Sequence, residues 1–487
     1  MQSQMSRAQA LAHYPPLGQL IAGQFESDGG ADTLDVIDPA TGLTLGRAPM
    51  ATAAQIERSL AAAQAAFPAW RRTPAVERGR ILKRVADTLR DRSHELAGLM
   101  VLEQGKCWSE ALAEVEQAAG MWEWSAEEGR RAYGRVIPGR DANTRHMALL
   151  EPVGPVAAFH AWNGPLTNPS RKLAGALAAG CTIVLKAAEE VPNCVLAVGR
   201  IAVECGLPQG VVSILVGDPA TISTALIASP VTRAVTFTGS VAVGKMLAQQ
   251  AISLMKRPIM ELGGHAPVLV FDDADVESVA RSAAASKFRN AGQICASPTR
   301  FYVQRAIYTD FIDAMNEATQ QIVVGCGFDA GTTMGPLIRE RRILAMEGFV
   351  ADARAQGARI VTGGSRLKRE GYFFEPTLLA DVGLSARVSN EEPFGPIASL
   401  TPFDTYEDAI ALANRLPLGL ASYVHTRNVH TANRAIDDLE AGNVIVNGWR
   451  ATIPETPFGG VKESGLMSEG GTEGLRAFQN VKHASIS

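Results

Sequence analysis

Apolar residues recur every three or four positions between residues 51 and 130, in AAQIERSLAAAQAAF and again in VERGRILKRVADTLRDRSHELAGLMVLEQGK. That spacing turns one stripe of a helix toward a core, and the Ala and Arg content suits helical backbone. From about residue 152 the pattern changes. Short apolar runs (PVGPVAAFHAW, CTIVLK, GVVSILVG, RAVTFTG, PIMELGG) alternate with amphipathic stretches (RKLAGALAAG, NCVLAVGRIAVECG, ATISTALIAS, VAVGKMLAQQAI). Runs that are apolar throughout, with helices between them, predict parallel strands buried on both faces. Ligands of such sheets gather at the C-terminal strand ends. A second alternation spans about 260–450. Its strands are HAPVLVF, RFYVQ, ARIVTGG, ASYVHT and GNVIVN, and its helices DADVESVARSAAASKFRNAG, YEDAIALANRL and VHTANRAIDDLE. The predicted fold class is α/β with two doubly wound domains. The junction at Glu261-Leu262-Gly263-Gly264 is a candidate interdomain cleft.

Composition narrows the function. The chain has 487 residues, 46% hydrophobic and 20% charged, which fits a soluble globular protein and excludes wholesale disorder. Lys and Arg number 46 against 50 Asp and Glu, a net charge of -4, and no basic block stands out. A nucleic-acid-tracking surface is therefore not expected. The six cysteines include no CxxC pair, which argues against a structural zinc site or a secreted disulfide framework. Reduced thiols in a cytoplasmic setting are expected, with no metal. The start MQSQMSRAQALAHYPPLGQL lacks the apolar core of a signal peptide, and no apolar run is long enough to span a membrane.

Five features carry candidate chemistry. Cys295, in Gly292-Gln293-Ile294-Cys295-Ala296-Ser297, follows a helix read as ending in Phe288-Arg289-Asn290-Ala291. Its small, polar neighbours place the thiol on a turn. A free thiol is a good nucleophile once ionised, although most free cysteines are simply buried. Cys181, Cys194 and Cys205, among Ala, Val and Leu, are read as buried and structural. Glu261 ends an apolar strand, where desolvation raises a carboxyl toward neutrality and suits it to general-base work; a strand-end salt bridge is the alternative. Asn163 follows the first strand of the array, where its amide is a donor for a developing oxyanion or an ordinary turn residue before Gly164. Lys186 and Glu189, at the end of the next strand, are able to bond ribose hydroxyls or to sit in a solvated loop. Gly239-Ser240-Val241-Ala242-Val243-Gly244 opens a helix where phosphate can approach the backbone. The chain has no GxGxxG.

Together, EPVGPVAAFHAWNGPL, TIVLKAAEEVP, VTFTGSVAVG, MELGGHAP, FRNAGQICAS, NEEPFGPI and TPFGGVKESG resemble the aldehyde dehydrogenase superfamily in this order and spacing. With VIDPATGLTLG the likeness covers nearly the whole chain. The resemblance implies Rossmann-like domains: 1–130 with 152–258 for cofactor, 259–450 for catalysis, and 131–151 with 451–487 as a β-hairpin oligomerisation element and tail. It implies Cys295 as nucleophile, Glu261 as general base, and Asn163 with the Cys295 N–H as oxyanion hole. Lys172 and Glu469 match proton-relay positions. Trp162, Lys186, Glu189, Phe237, Gly239, Ser240, Gly244, Leu262, Glu392 and Phe394 match cofactor positions. The implied reaction oxidises an aldehyde to its acid through a cysteine thiohemiacetal and thioester. Glu189 would repel a 2′-phosphate, so NAD is preferred over NADP.

Two substrate readings stay open. Arg171 and Arg289 match residues that bind the distal carboxylate in succinate-semialdehyde dehydrogenases. Trp449 instead suits an aromatic pocket for a benzaldehyde- or salicylaldehyde-type substrate. A CoA-acylating enzyme is disfavoured by Glu261, and a non-catalytic structural or binding protein by the intact Cys295, Glu261 and Asn163. The chain departs from the family pattern at His265 and at Ala187, which replaces a common proline. No cysteine adjoins Cys295. A homodimer or homotetramer is expected through the hairpin.

Overall fold

A computed structural model describes residues 4–30 and 32–487; the first three residues of the 1–130 segment lie outside it. Among the described residues the two alternating stretches form two large sheets. The first has eight strands, in the order Gln24–Glu26, Gln19–Ile21, Val212–Leu215, Ile183–Lys186, Val156–Phe159, Ala234–Gly239, Arg257–Leu262 and Gly465–Leu466. The five from Val156 to Leu262 run parallel. Three of them, Val156–Phe159, Ile183–Lys186 and Val212–Leu215, are buried at every position, as continuous apolar runs require. The chain winds outward in both directions from Val156–Phe159. The order therefore switches between that strand and Ala234–Gly239, which opens a ligand crevice beyond their C-terminal ends.

The helices between these strands cover both faces. Thr167–Ala179 and Pro192–Glu204 bury most of their residues. The N-terminal helices Ala75–Asp91, Ser93–Glu103 and Trp108–Glu128 add Leu82, Val85, Met100, Val115 and Trp122 to the same core. The long apolar-periodic segment divides at Arg92, whose φ of -99° and ψ of 22° leave the helical region.

The second sheet has seven strands, in the order Arg359–Thr362, Thr377–Ala380, Ile397–Phe403, Pro298–Gln304, Ala266–Val270, Ala421–His425 and Asn443–Val446. All are parallel except the edge strand Arg359–Thr362. Residues 263–265 link the two sheets, and Gly264 touches the turn that holds the candidate nucleophile. A Cβ there would lie 2.8 Å from the Cys295 carbonyl oxygen.

The 131–151 segment forms a hairpin of Arg135–Pro138 and Arg145–Pro152. The C-terminal strand Gln479–Ile486 pairs with Arg145–Pro152 along its full length. Part of the 451–487 segment leaves this small sheet. Gly465–Leu466 pairs with Met260 and Glu261 at the edge of the first large sheet, which brings Glu469 to the interior. Among the described residues no helix is long and apolar enough to cross a membrane.

Candidate active site

Cys295 sits on a turn built by an unusual helix exit. Helix Val276–Phe288 starts at Asp275, whose carboxylate accepts from the Ser278 N–H at 3.1 Å. It ends at Phe288, earlier than the sequence reading. Asn290, Ala291 and Gly292 then take φ of 50°, 52° and 71°. Left-handed backbone is costly for the two residues with side chains, so neighbours must hold it. The Asn290 N–H donates to Glu110 at 3.0 Å, its amide nitrogen to the Asn163 carbonyl at 3.1 Å, and its amide oxygen accepts from Gln104 at 2.7 Å. At Gly292 a Cβ would fall 2.2 Å from the Gly395 carbonyl oxygen, so only glycine fits. Cys295 stays partly accessible, whereas Cys181, Cys194 and Cys205 are buried as expected.

Glu261 occupies the penultimate position of strand Arg257–Leu262 and is 2% exposed. Burial, with the Glu469 carboxylate beside it, raises its carboxyl to about 7. One carboxylate oxygen has no hydrogen-bond partner among the described residues. Desolvation first, and then the Glu261 charge, push the Cys295 thiol well above its ordinary value. The carboxyl and thiol are thus close enough to shift each other's ionisation.

Asn163 reaches the same turn. Its amide nitrogen donates to the Gln293 carbonyl at 3.1 Å, and its amide oxygen accepts from Asn168 at 3.1 Å. That network aims the NH2 group at the nucleophile's turn and leaves one N–H unspent. The Cys295 N–H donates to no acceptor among the described residues. Glu114 accepts from the N–H groups of Leu166 and Thr167 at 2.9 and 3.1 Å, and is ion-paired with Lys106. The Leu166–Pro169 segment is therefore a brace. Leu166 and Thr167 fasten it to the N-terminal helices, and Asn168 fastens Asn163.

Lys172 and Glu469 form a buried pair at 2.6 Å, with the Thr236 hydroxyl 3.0 Å from the ammonium. Arg171 lies 4.8 Å over the Phe458 ring, donates to Thr452 at 3.3 Å, and reaches Glu469 at 3.9 Å. Arg289 is exposed, with no carboxylate partner within salt-bridge distance among the described residues. Both Arg289 and Cys295 are near enough to act on the ionisation of the Tyr423 hydroxyl, which donates to the Ala296 carbonyl at 2.6 Å. Trp449 packs against Tyr423 and His425 at ring distances of 5.3 and 4.4 Å. One aromatic layer thus separates Trp449 from the nucleophile's turn.

The crevice of the first sheet fits a dinucleotide. Helix Val241–Ser253 starts at Ser240, whose side chain makes no cap bond, and the buried Thr238 hydroxyl beside it has no partner among the described residues. These free donors suit a phosphate at a helix N-terminus. At Gly244 a Cβ would lie 2.1 Å from Leu262, so glycine lets the helix close onto the strand end. Phe237, on the preceding strand, is packed beneath Gly239. Lys186 and Glu189 pair at 2.5 Å. Trp162 and Phe394 meet edge to face at 5.6 Å. Glu392, raised to about 8 by burial, faces Gly263, where a Cβ would be 2.6 Å from its carboxylate. Among the described residues no cluster of three His, Cys, Asp or Glu side chains is placed to hold a metal.

Sequence reasoning missed Gln104, Lys106, Glu110, Glu114 and Asn290, which brace the loops, and left the unusual Leu166-Thr167-Asn168-Pro169 segment without a role. The available signal was Glu114, which falls on the same helix stripe as Ala111, Val115, Ala118 and Trp122, the stripe that faces the core. His265, noted as a departure, is buried, with its ring nitrogens 2.8 and 3.0 Å from Thr299 and the Val388 carbonyl.

Fold and site together define an oxidoreductase of the aldehyde-oxidising class. The chain belongs to the aldehyde dehydrogenase family, whose sequence profile matches residues 25–484. It is 49% identical over 463 residues to 4-(hydroxymethyl)benzenesulfonate dehydrogenase TsaD1 of Comamonas testosteroni, covering 95% of this chain and 96% of that protein. It is 41% identical over 467 residues to the succinate-semialdehyde dehydrogenase [NADP(+)] GabD of Escherichia coli strain K12, covering 96% and 97%. Among solved structures, betaine aldehyde dehydrogenase from Staphylococcus aureus in complex with NAD+ superimposes with a TM-score of 0.95 at 31% identity, covering 99% of this chain and 97% of that one.

Proposed function

We propose that this aldehyde dehydrogenase uses NAD to oxidise aldehydes that carry a distal anionic group, releasing the acid by hydrolysis of a cysteine thioester. The observation that carries the hydrolytic chemistry is the pairing of a partly accessible Cys295 with a buried Glu261 raised to about 7. The partly accessible Cys295 thiol gives up its proton to solvent, and the thiolate adds to the carbonyl carbon. The oxyanion receives hydrogen bonds from the free Asn163 N–H and the Cys295 N–H. Lys186, Glu189, Ser240, Glu392, Phe394 and Trp162 would hold a dinucleotide, which when bound would supply the hydride acceptor. Oxidation leaves a thioester on Cys295. Glu261 then removes a proton from water as the water attacks the thioester, and the buried Lys172–Glu469 pair lies close enough to pass that proton on.

Glu189 supports NAD, because its carboxylate accepts from a free 2′-hydroxyl and repels a 2′-phosphate. A kcat/KM for NAD at least about tenfold above that for NADP is expected from one unit of discriminating charge. Comparable values would reject this preference.

Arg289 supports the anionic substrate, being an exposed guanidinium without a carboxylate partner among the described residues and beside the nucleophile's turn. The aromatic layer of Tyr423, His425 and Trp449 favours the second reading, an aromatic aldehyde. A substrate with both a ring and an anion satisfies both, and the C. testosteroni relative is named for such a molecule. The deciding experiment is a panel of succinate semialdehyde, benzaldehyde and 4-formylbenzenesulfonate with each cofactor. Arg289→Ala is expected to raise KM for the two anionic aldehydes about 10- to 100-fold while kcat for benzaldehyde holds. An equal loss on all three would remove Arg289 from the substrate site.

The strand Arg135–Pro138 is exposed along its length and unpaired on one side, an edge that supports assembly of two or four copies.

A further inference from the structure

His160 lies just beyond the strand Val156–Phe159, where Phe159 pairs with Lys186. Its side chain crosses to the loop that follows Lys186. The Ala188 N–H donates to His160 Nε2 at 3.3 Å, and His160 Nδ1 lies 2.9 Å from the Ala161 carbonyl. For both contacts to be hydrogen bonds, Nδ1 must carry the proton and Nε2 must accept. Burial, with the Lys186 charge nearby, keeps the ring neutral, so this acceptor persists across the working pH range.

The rest of the loop explains why an acceptor matters here. Position 187 is alanine, so its backbone lacks the rigidity of a proline ring but retains an N–H, which donates to the Leu215 carbonyl at 2.8 Å. Glu190 is held by Arg339 and Arg341, at the start of helix Glu340–Ala355, at 3.4 and 3.3 Å. The segment 187–190, which carries Glu189, is therefore tied at Ala187, Ala188 and Glu190. Within the crevice, His160 ties the backbone at Ala188, while Lys186 holds only the Glu189 side chain.

We propose that His160 is a positioning residue for dinucleotide selectivity: by accepting from the Ala188 N–H, it fixes the loop that presents Glu189 to the adenosine ribose. This rests on the reading of Glu189 as the ribose-binding carboxylate. A loop free to move would let Glu189 swing from the 2′-hydroxyl, weakening NAD binding, and would relax its repulsion of a 2′-phosphate. The loss should therefore fall on NAD and spare NADP.

The test compares the full-length parent, His160→Ala and His160→Gln; the glutamine amide oxygen can reach the place of Nε2. Hydrogen–deuterium exchange across 187–191 is measured on the cofactor-free proteins, and Kd for NAD and for NADP by calorimetric titration. In His160→Ala, exchange is expected to accelerate about tenfold and Kd for NAD to rise about fivefold, with NADP changed by less than about twofold. His160→Gln should restore both. At saturating NAD, kcat should stay within about twofold of the parent, since Asn163 is held separately by Gln293 and Asn168. Unchanged exchange in His160→Ala overturns the proposal. So does a Kd shift of equal factor for both cofactors, or a glutamine variant as impaired as alanine. A parent that binds NADP as tightly as NAD sinks the Glu189 reading and the selectivity claim with it, while the exchange comparison still decides whether His160 holds the loop.

Discussion

Cys295→Ala is expected to lower kcat by at least about 10⁴-fold for every aldehyde oxidised, with NAD binding and the thermal midpoint close to the parent's. The side chain sits on a braced turn, so removing sulfur leaves the loop's hydrogen bonds to Glu110, Asn163 and Gln104 intact. Single-turnover NADH formation should vanish as well, because no thiohemiacetal can form to release the hydride. Thiol labelling of the parent should quicken as pH rises above neutrality, since burial and the Glu261 charge favour the protonated sulfur. Retained turnover in the alanine variant would end the covalent account.

The second large effect belongs to Glu261→Gln. Its kcat should fall about 10²- to 10⁴-fold, and NADH should appear as a burst near one equivalent per site before a slow phase. In the parent, kcat should rise through an apparent pKa of about 7, where Glu261 loses its proton. The glutamine variant should lack that limb. Thiol labelling of Cys295 should become faster, since a neighbouring negative charge has been removed.

Stability should move in the opposite direction to activity. The folded-state value of Glu261, about 7, lies above its ordinary 4.5, so the folded protein binds the proton more tightly than the unfolded chain does. That favours the fold below pH 4.5 and is progressively lost as pH rises through 7, by on the order of 3 kcal/mol as an upper bound. Glu261→Gln should therefore melt higher than the parent at pH 8, with the gap closing toward pH 5. A glutamine variant less stable at pH 8 would show that Glu261 is fully compensated by Lys172 and Arg171. Activity and stability thus compete at this position, as expected where a charge is buried for chemistry.

Much of this architecture was legible because local pattern and fold agree. The five apolar runs between residues 152 and 264 became the parallel strands they predict, and the intervening stretches became helices. The exit of helix Val276–Phe288 was misplaced by a few residues, because left-handed Asn290 and Ala291 have no signature in composition. Their conformation is imposed by Glu110 and Gln104, nearly two hundred positions upstream.

The division follows from the range of the forces. Periodicity, glycine placement and the motif blocks depend on neighbours a few residues apart, so the chain alone determined the α/β class and the family, and singled out Cys295, Glu261, Asn163 and the Gly239–Gly244 turn. The brace formed by Lys106, Glu114 and Asn168, the hydroxyl of Thr238 left without a partner among the described residues, the His160 contact to Ala188 and the Glu469 carboxylate beside Glu261 were decided only by tertiary structure. Each depends on desolvation or on hydrogen bonds between segments distant in the chain, which no local pattern encodes.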